Sequence, residues 1–246
     1  MTSQQPPLWR RAVAELLGTS LLVMIVVGSG IAAQQLSPND VGLQLLQNST
    51  ATVLGLTVLI LVLGPVSGAH FNPVVSLVDW VLGRRSGFGL TLPDLGTYVV
   101  AQTAGGISGS VIANAMFEVG TSISVKDRAT TGHLLGEVVA TAGLVLLIFA
   151  LAATKRGALA APAVGAYIGA AYWFTSSTSF ANPAVTVGRI FSDTFAGIAP
   201  ASVPGFVIAQ LIGAAVGIGL LLALFPTASR SADDVVIPHS TAKTSP

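Results

Sequence analysis

Apolar residues run along the chain in long, nearly unbroken stretches, with neither the period-two alternation of a half-buried strand nor the one-sided stripe of a soluble helix. Six stretches approach the roughly 20 residues that a helix needs to cross a hydrocarbon layer about 30 Å thick. They lie near Ala12 to Ala33, Leu43 to Leu63, Leu95 to Phe117, Leu134 to Ala153, Ala158 to Thr175 and Val203 to Phe225. The first is too long for the apolar core of a signal peptide and contains Glu15, so it is expected to be a retained span. Two shorter apolar stretches, Val74 to Leu82 and Ala184 to Phe191, each follow an Asn-Pro pair. Ten helical residues rise about 15 Å, half a membrane, so these are predicted half-helices. Asn is a favoured N-cap and Pro a favoured first helical residue, so Asn72-Pro73 and Asn182-Pro183 each mark a helix start. The segment from Ser229 to Pro246 is rich in Ser, Thr, Asp and Pro and is expected to be disordered.

Composition narrows the class further. Of 246 residues, 52% are hydrophobic and 9% charged, far below the roughly 25% charged residues of a soluble domain. A formal net charge of +1 provides no basic field for nucleic acid. With no Cys and three scattered His there is no disulfide framework, no thiolate nucleophile and no zinc spacing, and no Ser-His-Asp constellation points to an enzyme. Basic residues prefer cytoplasmic loops. Six spans with the N-terminus inside place Arg10, Arg11, Arg84, Arg85, Lys155, Arg156, Arg230 and Lys243, eight of the eleven Lys and Arg, on the cytoplasmic side. Both termini are then cytoplasmic, and a bacterial inner membrane is the expected location.

The chain also repeats itself. Glu15 in Glu-Leu-Leu-Gly-Thr is echoed by Glu137 in Glu-Val-Val-Ala-Thr, Asn72-Pro73 by Asn182-Pro183, and Gln102 by Gln210, at offsets of 122, 110 and 108 residues. Three spans per copy is an odd number, so the second copy enters from the opposite face. The predicted fold is an all-α membrane bundle of six transmembrane helices plus two re-entrant half-helices, one channel domain over 1–246. Its inverted repeats cover about 10–117 and 132–226, and a tail at 227–246 follows. The two Asn-capped N-termini then meet near the bilayer centre, where non-helical backbone persists only if buried or lining a water-filled path.

These residues identify the chain as resembling the major intrinsic protein family, the aquaporins and aquaglyceroporins. The resemblance rests on Ser67-Gly68-Ala69-His70-Phe71-Asn72-Pro73, on Asn182-Pro183-Ala184, and on both Glu and both Gln. It implies a right-handed bundle, a homotetramer with one pore per subunit, passive flow, no cofactor and no turnover chemistry. Asn72 and Asn182 are expected to turn amide N–H groups into the lumen while their oxygens cap the half-helices. The resemblance suggests that Glu15 and Glu137 brace the re-entrant loops. The rival reading is a proton-coupled transporter, which uses inverted repeats as well. His70 reads as a loop-packing residue, and His133 and His239 as surface residues. Gly105 with Gly109, Gly165 with Gly169 and Gly213 with Gly217 read as close-packing pairs. Asn48-Ser49-Thr50 matches a glycosylation acceptor but falls inside the second span.

The family's second box usually ends in Arg, which narrows the outer constriction. Here that position is Val185. Counting back by the family's spacing places the other constriction residues at Thr52, Ala170 and Ser179. Small side chains without fixed charge predict a wide, neutral filter that admits solutes larger than water and excludes cations less well. Arg189, one helical turn past Val185, is a candidate for partly replacing the charge. Loss of the filter Arg resembles a bacterial branch associated with arsenic detoxification. The sequence reading is therefore a passive pore for small uncharged solutes, with arsenite and glycerol foremost and water alongside. A water-selective aquaporin, a coupled transporter and a structural membrane protein are the alternatives.

Overall fold

The computed structural model describes residues 6–86 and 89–226; the predicted tail and His239 lie outside them. The chain forms α1 (Leu8–Leu36), α2 (Val41–Ser67), α3 (Pro73–Ser86), α4 (Leu92–Met116), α5 (Thr131–Ala153), α6 (Ala160–Phe174), α7 (Pro183–Gly188) and α8 (Val203–Leu224), with 3-10 turns at 157–159, 189–191 and 200–202. Six of these elements correspond to the predicted spans, and α3 and α7 to the half-helices. Starts are set by local chemistry. Asp40 accepts from Leu43 N at 2.8 Å, Thr130 from His133 N at 3.2 Å, and Thr91 with Asp94 closes a reciprocal capping box.

Among the described residues, five helices are long and apolar enough to cross a membrane on length and composition alone. The remaining predicted span, α4, has the length at 25 residues but not the apolar character. Its polar groups face protein: Gln102, Ser110 and Asn114 are fully buried, so lipid does not meet them. Large apolar side chains such as Leu54, Val58 and Leu61 on α2 and Ile208 and Ile212 on α8 are exposed, as a lipid-facing surface requires.

The packing follows the repeat. α1 packs on α4 as α5 packs on α8, α1 on α2 as α5 on α6, and α2 meets α6 across the middle. All three predicted glycine pairs lie in these seams. A Cβ on Gly105 would stand 2.4 Å from the Leu16 carbonyl oxygen and one on Gly109 2.2 Å from that of Ser20. At Gly213 and Gly217 the Val138 and Ala142 carbonyl oxygens of α5 would stand 2.6 and 2.8 Å from an added Cβ, and Gly165 and Gly169 receive Thr57 and Val53 of α2. Because backbone yields far less readily than a side chain, Gly109→Ala is expected to lower stability by about 1–3 kcal/mol through overpacking. Gly96→Ala, where nothing lies within 4 Å, is expected to cost nothing. Thermal unfolding of the two variants in detergent checks the contrast, and equal midpoints would contradict it.

The half-helices differ from expectation in length. α3 extends over 14 residues to Ser86, whereas α7 has only six before the chain tightens into the turn at 189–191. Asn48 is buried within α2, its amide donating to the Val26 carbonyl and the Ser29 hydroxyl, which removes it as a glycosylation acceptor.

Candidate functional site

The site begins with two loops of unusual backbone. Gly68, Ala69 and Phe71 have φ of 88°, 48° and 49°, and Thr178, Ser179 and Ala181, each 110 residues later, have 61°, 50° and 46°. Left-handed non-glycine residues cost on the order of 1–3 kcal/mol each and persist only where their surroundings enforce them. Here the enforcement is visible. Glu15 Oε1 accepts from Ser67 Oγ at 2.6 Å and His70 N at 3.0 Å, and its Oε2 accepts from Phe71 N and Gln102 Nε2, both at 2.7 Å. Glu137 accepts from Phe180 N at 2.9 Å, Ala181 N at 2.8 Å and Gln210 Nε2 at 2.7 Å. Both carboxylates are fully buried. The Gln side chains continue to the half-helices, Gln102 to Ser76 and Gln210 to Thr186, both at 3.0 Å.

With their N–H groups consumed by carboxylates, the loops turn their carbonyl edge the other way. Asn72 Oδ1 accepts from Val74 N at 3.0 Å, and Asn182 Oδ1 from Ala184 N at 2.9 Å and Val185 N at 3.2 Å, so both act as N-caps. One amide N–H of each Asn crosses to the other repeat. Asn72 donates to the Ala181 carbonyl and Asn182 to the Phe71 carbonyl, both at 2.7 Å. These reciprocal bonds fasten the two half-helix N-termini together. Pro73, Pro183 and Ala184 occupy the first positions of the half-helices, and Gly18 leaves room for the Phe71 ring behind the first loop.

Beside this junction runs a cavity of about 830 Å³, open mouths included. One wall is polar: the loop residues 68–72 and 179–182. The opposite wall is apolar, formed by Leu22, Val26, Leu56, Ile60, Leu144, Val164 and Ile168. No acidic side chain lines it among the described residues. A neutral solute passing here loses water on one side while finding hydrogen-bond partners on the other, and the N-termini of α3 and α7 add partial positive charge at the middle.

Of the four expected constriction residues, Thr52, Ser179 and Val185 line the cavity. Ala170 does not; it is exposed on the outer face of α6. Val164, Ile168 and Tyr172 share one stripe of that helix at spacing four, and Ala170 sits about 200° round from Ile168 and Tyr172. Tyr172 lines the cavity and Ala170 does not, so the lining at this end of α6 is not made of small residues alone. Thr52 Oγ1 donates to the Asn48 carbonyl at 2.9 Å, so the 3.1 Å bond between Thr52 and Tyr172 uses the phenolic proton. Tyr172 is left as an acceptor. Ser179 Oγ is buried without a partner. Arg189 also lines the cavity, so the surroundings are not free of charge either.

His70 packs as expected, its Nδ1 3.0 Å from Ser76 Oγ and its ring edge-on to Tyr98 at 5.5 Å, while also touching the cavity. His133 is half-buried rather than a plain surface residue, with Nδ1 2.8 Å from the Arg128 carbonyl. At the mouth beyond Arg189, Lys126 and Arg128 donate to carbonyls of residues 194–197. Burial and then the neighbouring Arg128 and Arg189 push the Lys126 ammonium below the ordinary lysine range.

Comparisons with known proteins agree with this geometry. The sequence profile described as Major intrinsic protein matches residues 2–179. The chain is 50% identical over 219 residues to the aquaglyceroporin AqpS of Rhizobium meliloti, covering 89% of this chain and 91% of that protein. It is 31% identical over 242 residues to aquaporin-2 of Rattus norvegicus, covering 89% and 80%. The X-ray structure of the aquaglyceroporin from Plasmodium falciparum superposes with a TM-score of 0.66 over 90% of this chain and 99% of that one at 18% identity, which speaks to the fold.

Proposed function

Since the chain belongs to the major intrinsic protein family of membrane channels for small solutes, we propose that it is a passive aquaglyceroporin-type pore for uncharged solutes larger than water, arsenous acid and glycerol foremost. It is not an enzyme. Val185 carries the solute reading: a short apolar side chain lines the cavity where the family's second box usually has Arg, leaving width and removing a donor that binds water. The half-identical relative named an aquaglyceroporin supports the same class. Arsenous acid is mostly uncharged at neutral pH and presents hydroxyls as a small polyol does, so an amphipathic lumen of this kind suits both.

Asn72 and Asn182 serve as central donors, Thr52, Tyr172, Ser179 and Val185 as the constriction, and Glu15 and Glu137 as braces. Assembly as a homotetramer in a bacterial inner membrane with both termini cytoplasmic completes the reading. The coupled-transporter alternative loses its candidate groups, because both carboxylates are consumed by loop donors and neither lines the cavity. Flux measured in proteoliposomes tests passivity. Glycerol entry is expected to rise linearly with its gradient, without saturation and without response to an imposed proton gradient. Saturable uptake driven by that proton gradient would overturn the channel.

A further inference from the structure

The family's outer constriction takes its positive charge from the position of Val185, yet the mouth of this pore is not neutral. Arg189 lies four residues on, in the 3-10 turn that ends α7, and is 3% exposed. Two contacts hold it, and it faces the cavity. Its Nε donates to the Ala196 carbonyl, its guanidinium carbon stands 3.4 Å from the centroid of the Phe180 ring, and its side chain forms part of the cavity wall. An arginine over an aromatic face is held by charge–quadrupole attraction, strongest where water is excluded. Phe180 is itself pinned edge-on to Phe206 at 5.0 Å and carries Arg128 at 5.4 Å as well.

Arg189 makes no direct ion pair, and the Glu137 carboxylate that acts on it from behind the loop does not line the cavity. Among the described residues the one ion pair is Arg11 with Asp94, away from this mouth, and Asp193 is engaged with Ser124 and Val125 N. Arg128 and Lys126 donate to the carbonyls of Gly197, Phe195 and Thr194, which brings further positive charge to the mouth. A guanidinium has five N–H donors and no acceptor. With Nε committed to Ala196, the rest belong to a side chain that walls the lumen. On the same cavity, Tyr172 offers only lone pairs and Ser179 Oγ is buried and unpartnered.

We propose that Arg189, cradled by Phe180 and the Ala196 carbonyl, is the cation-excluding and solute-donating guanidinium of this channel, moved one helical turn from the position that Val185 leaves neutral. The inference rests on the neutral-solute reading and replaces the sequence expectation of a cation-leaky filter. Val185 keeps the constriction wide while Arg189 keeps it positive, so breadth of solute and tightness to ions are set by separate residues. A passing hydroxyl accepts from Arg189 and donates to Tyr172; a monovalent cation finds repulsion and no carboxylate on the cavity wall.

The test separates the two claims by reading two quantities in the same proteoliposomes, glycerol permeability and proton or potassium conductance. Arg189→Gln retains an N–H for the Ala196 carbonyl but drops the charge. Its cation conductance is expected to rise about tenfold or more over wild type, and its glycerol permeability to fall by about threefold or more as the charged donor to the solute is lost. Arg189→Lys is expected to keep conductance at the wild-type level, and Arg189→Gln combined with Val185→Arg to restore it. Phe180→Leu, which leaves the charge but removes the ring beneath it, is expected to leak to an intermediate degree, and gives an independent reading if Arg189→Gln does not fold. Glycerol flux at the wild-type level with conductance at background in Arg189→Gln, or in Phe180→Leu where only that variant folds, overturns the proposal. No glycerol flux in the wild type overturns the neutral-solute reading instead.

Discussion

Glu15→Gln is expected to remove most of the folded protein. Each Glu15 oxygen accepts two hydrogen bonds, and an amide replaces one oxygen by a group that only donates. Whichever way the amide is turned, a backbone N–H that can only donate, of His70 or of Phe71, faces another N–H in a site with no exposure to water. Leaving buried donors without an acceptor costs about 1–3 kcal/mol each, and breaking a buried charged network about 3–5 kcal/mol in total. The lost bonds are also those that hold Ala69 and Phe71 in left-handed backbone. The loop is therefore expected to relax as the protein loses stability. Glu137→Gln meets the same fate at Phe180 and Ala181. Size-exclusion profiles and unfolding midpoints check this directly. A Glu15→Gln protein with wild-type stability and abolished flux would instead make the carboxylate a transport group.

Val185→Arg has the second large effect, on selectivity rather than stability. Val185 is 5% exposed and lies on the cavity, with its N–H bound to the Asn182 cap, so the backbone there is fixed and a longer side chain must grow into the lumen. Arginine adds a charged fork where width was available, one turn below Arg189. Glycerol and arsenous acid permeabilities are expected to fall about tenfold or more, a barrier increase of about 1.4 kcal/mol or more. Water, needing less width, is expected to fall less than about threefold on the same scale. Permeabilities unchanged for all three solutes would remove Val185 from the constriction.

How far the sequence carried these conclusions depended on how local each signal was. The Asn-Pro caps, the half-helices behind them and the Glu and Gln echoes were readable because a cap acts within three residues and a buried carboxylate in a span has few possible duties. The glycine seams were readable for the same reason: small residues at spacing four have one common use in a bundle. Ala170 failed because its placement counted backwards through residues 175–181, and a fixed spacing says nothing about where the helix face points. The stripe Val164, Ile168, Tyr172 held the correct register and was visible in the sequence, but choosing it required knowing that Gly165 and Gly169 turn toward α2. The place of Arg189 depended on a long side chain folding over Phe180, a tertiary contact with no local signature. The paired left-handed residues at 69 and 179 and at 71 and 181 were likewise silent, since Ala, Phe and Ser do not announce positive φ.

We propose that this lumen admits neutral hydroxylated solutes larger than water. Light-scattering stopped-flow on liposomes carrying the wild-type protein, challenged in turn with gradients of water, glycerol and arsenous acid, tests it most directly. Glycerol and arsenous acid are expected to equilibrate well above the rate of protein-free liposomes, alongside water. Fast water movement with both larger solutes at the protein-free rate would contradict the account and make the protein a water channel.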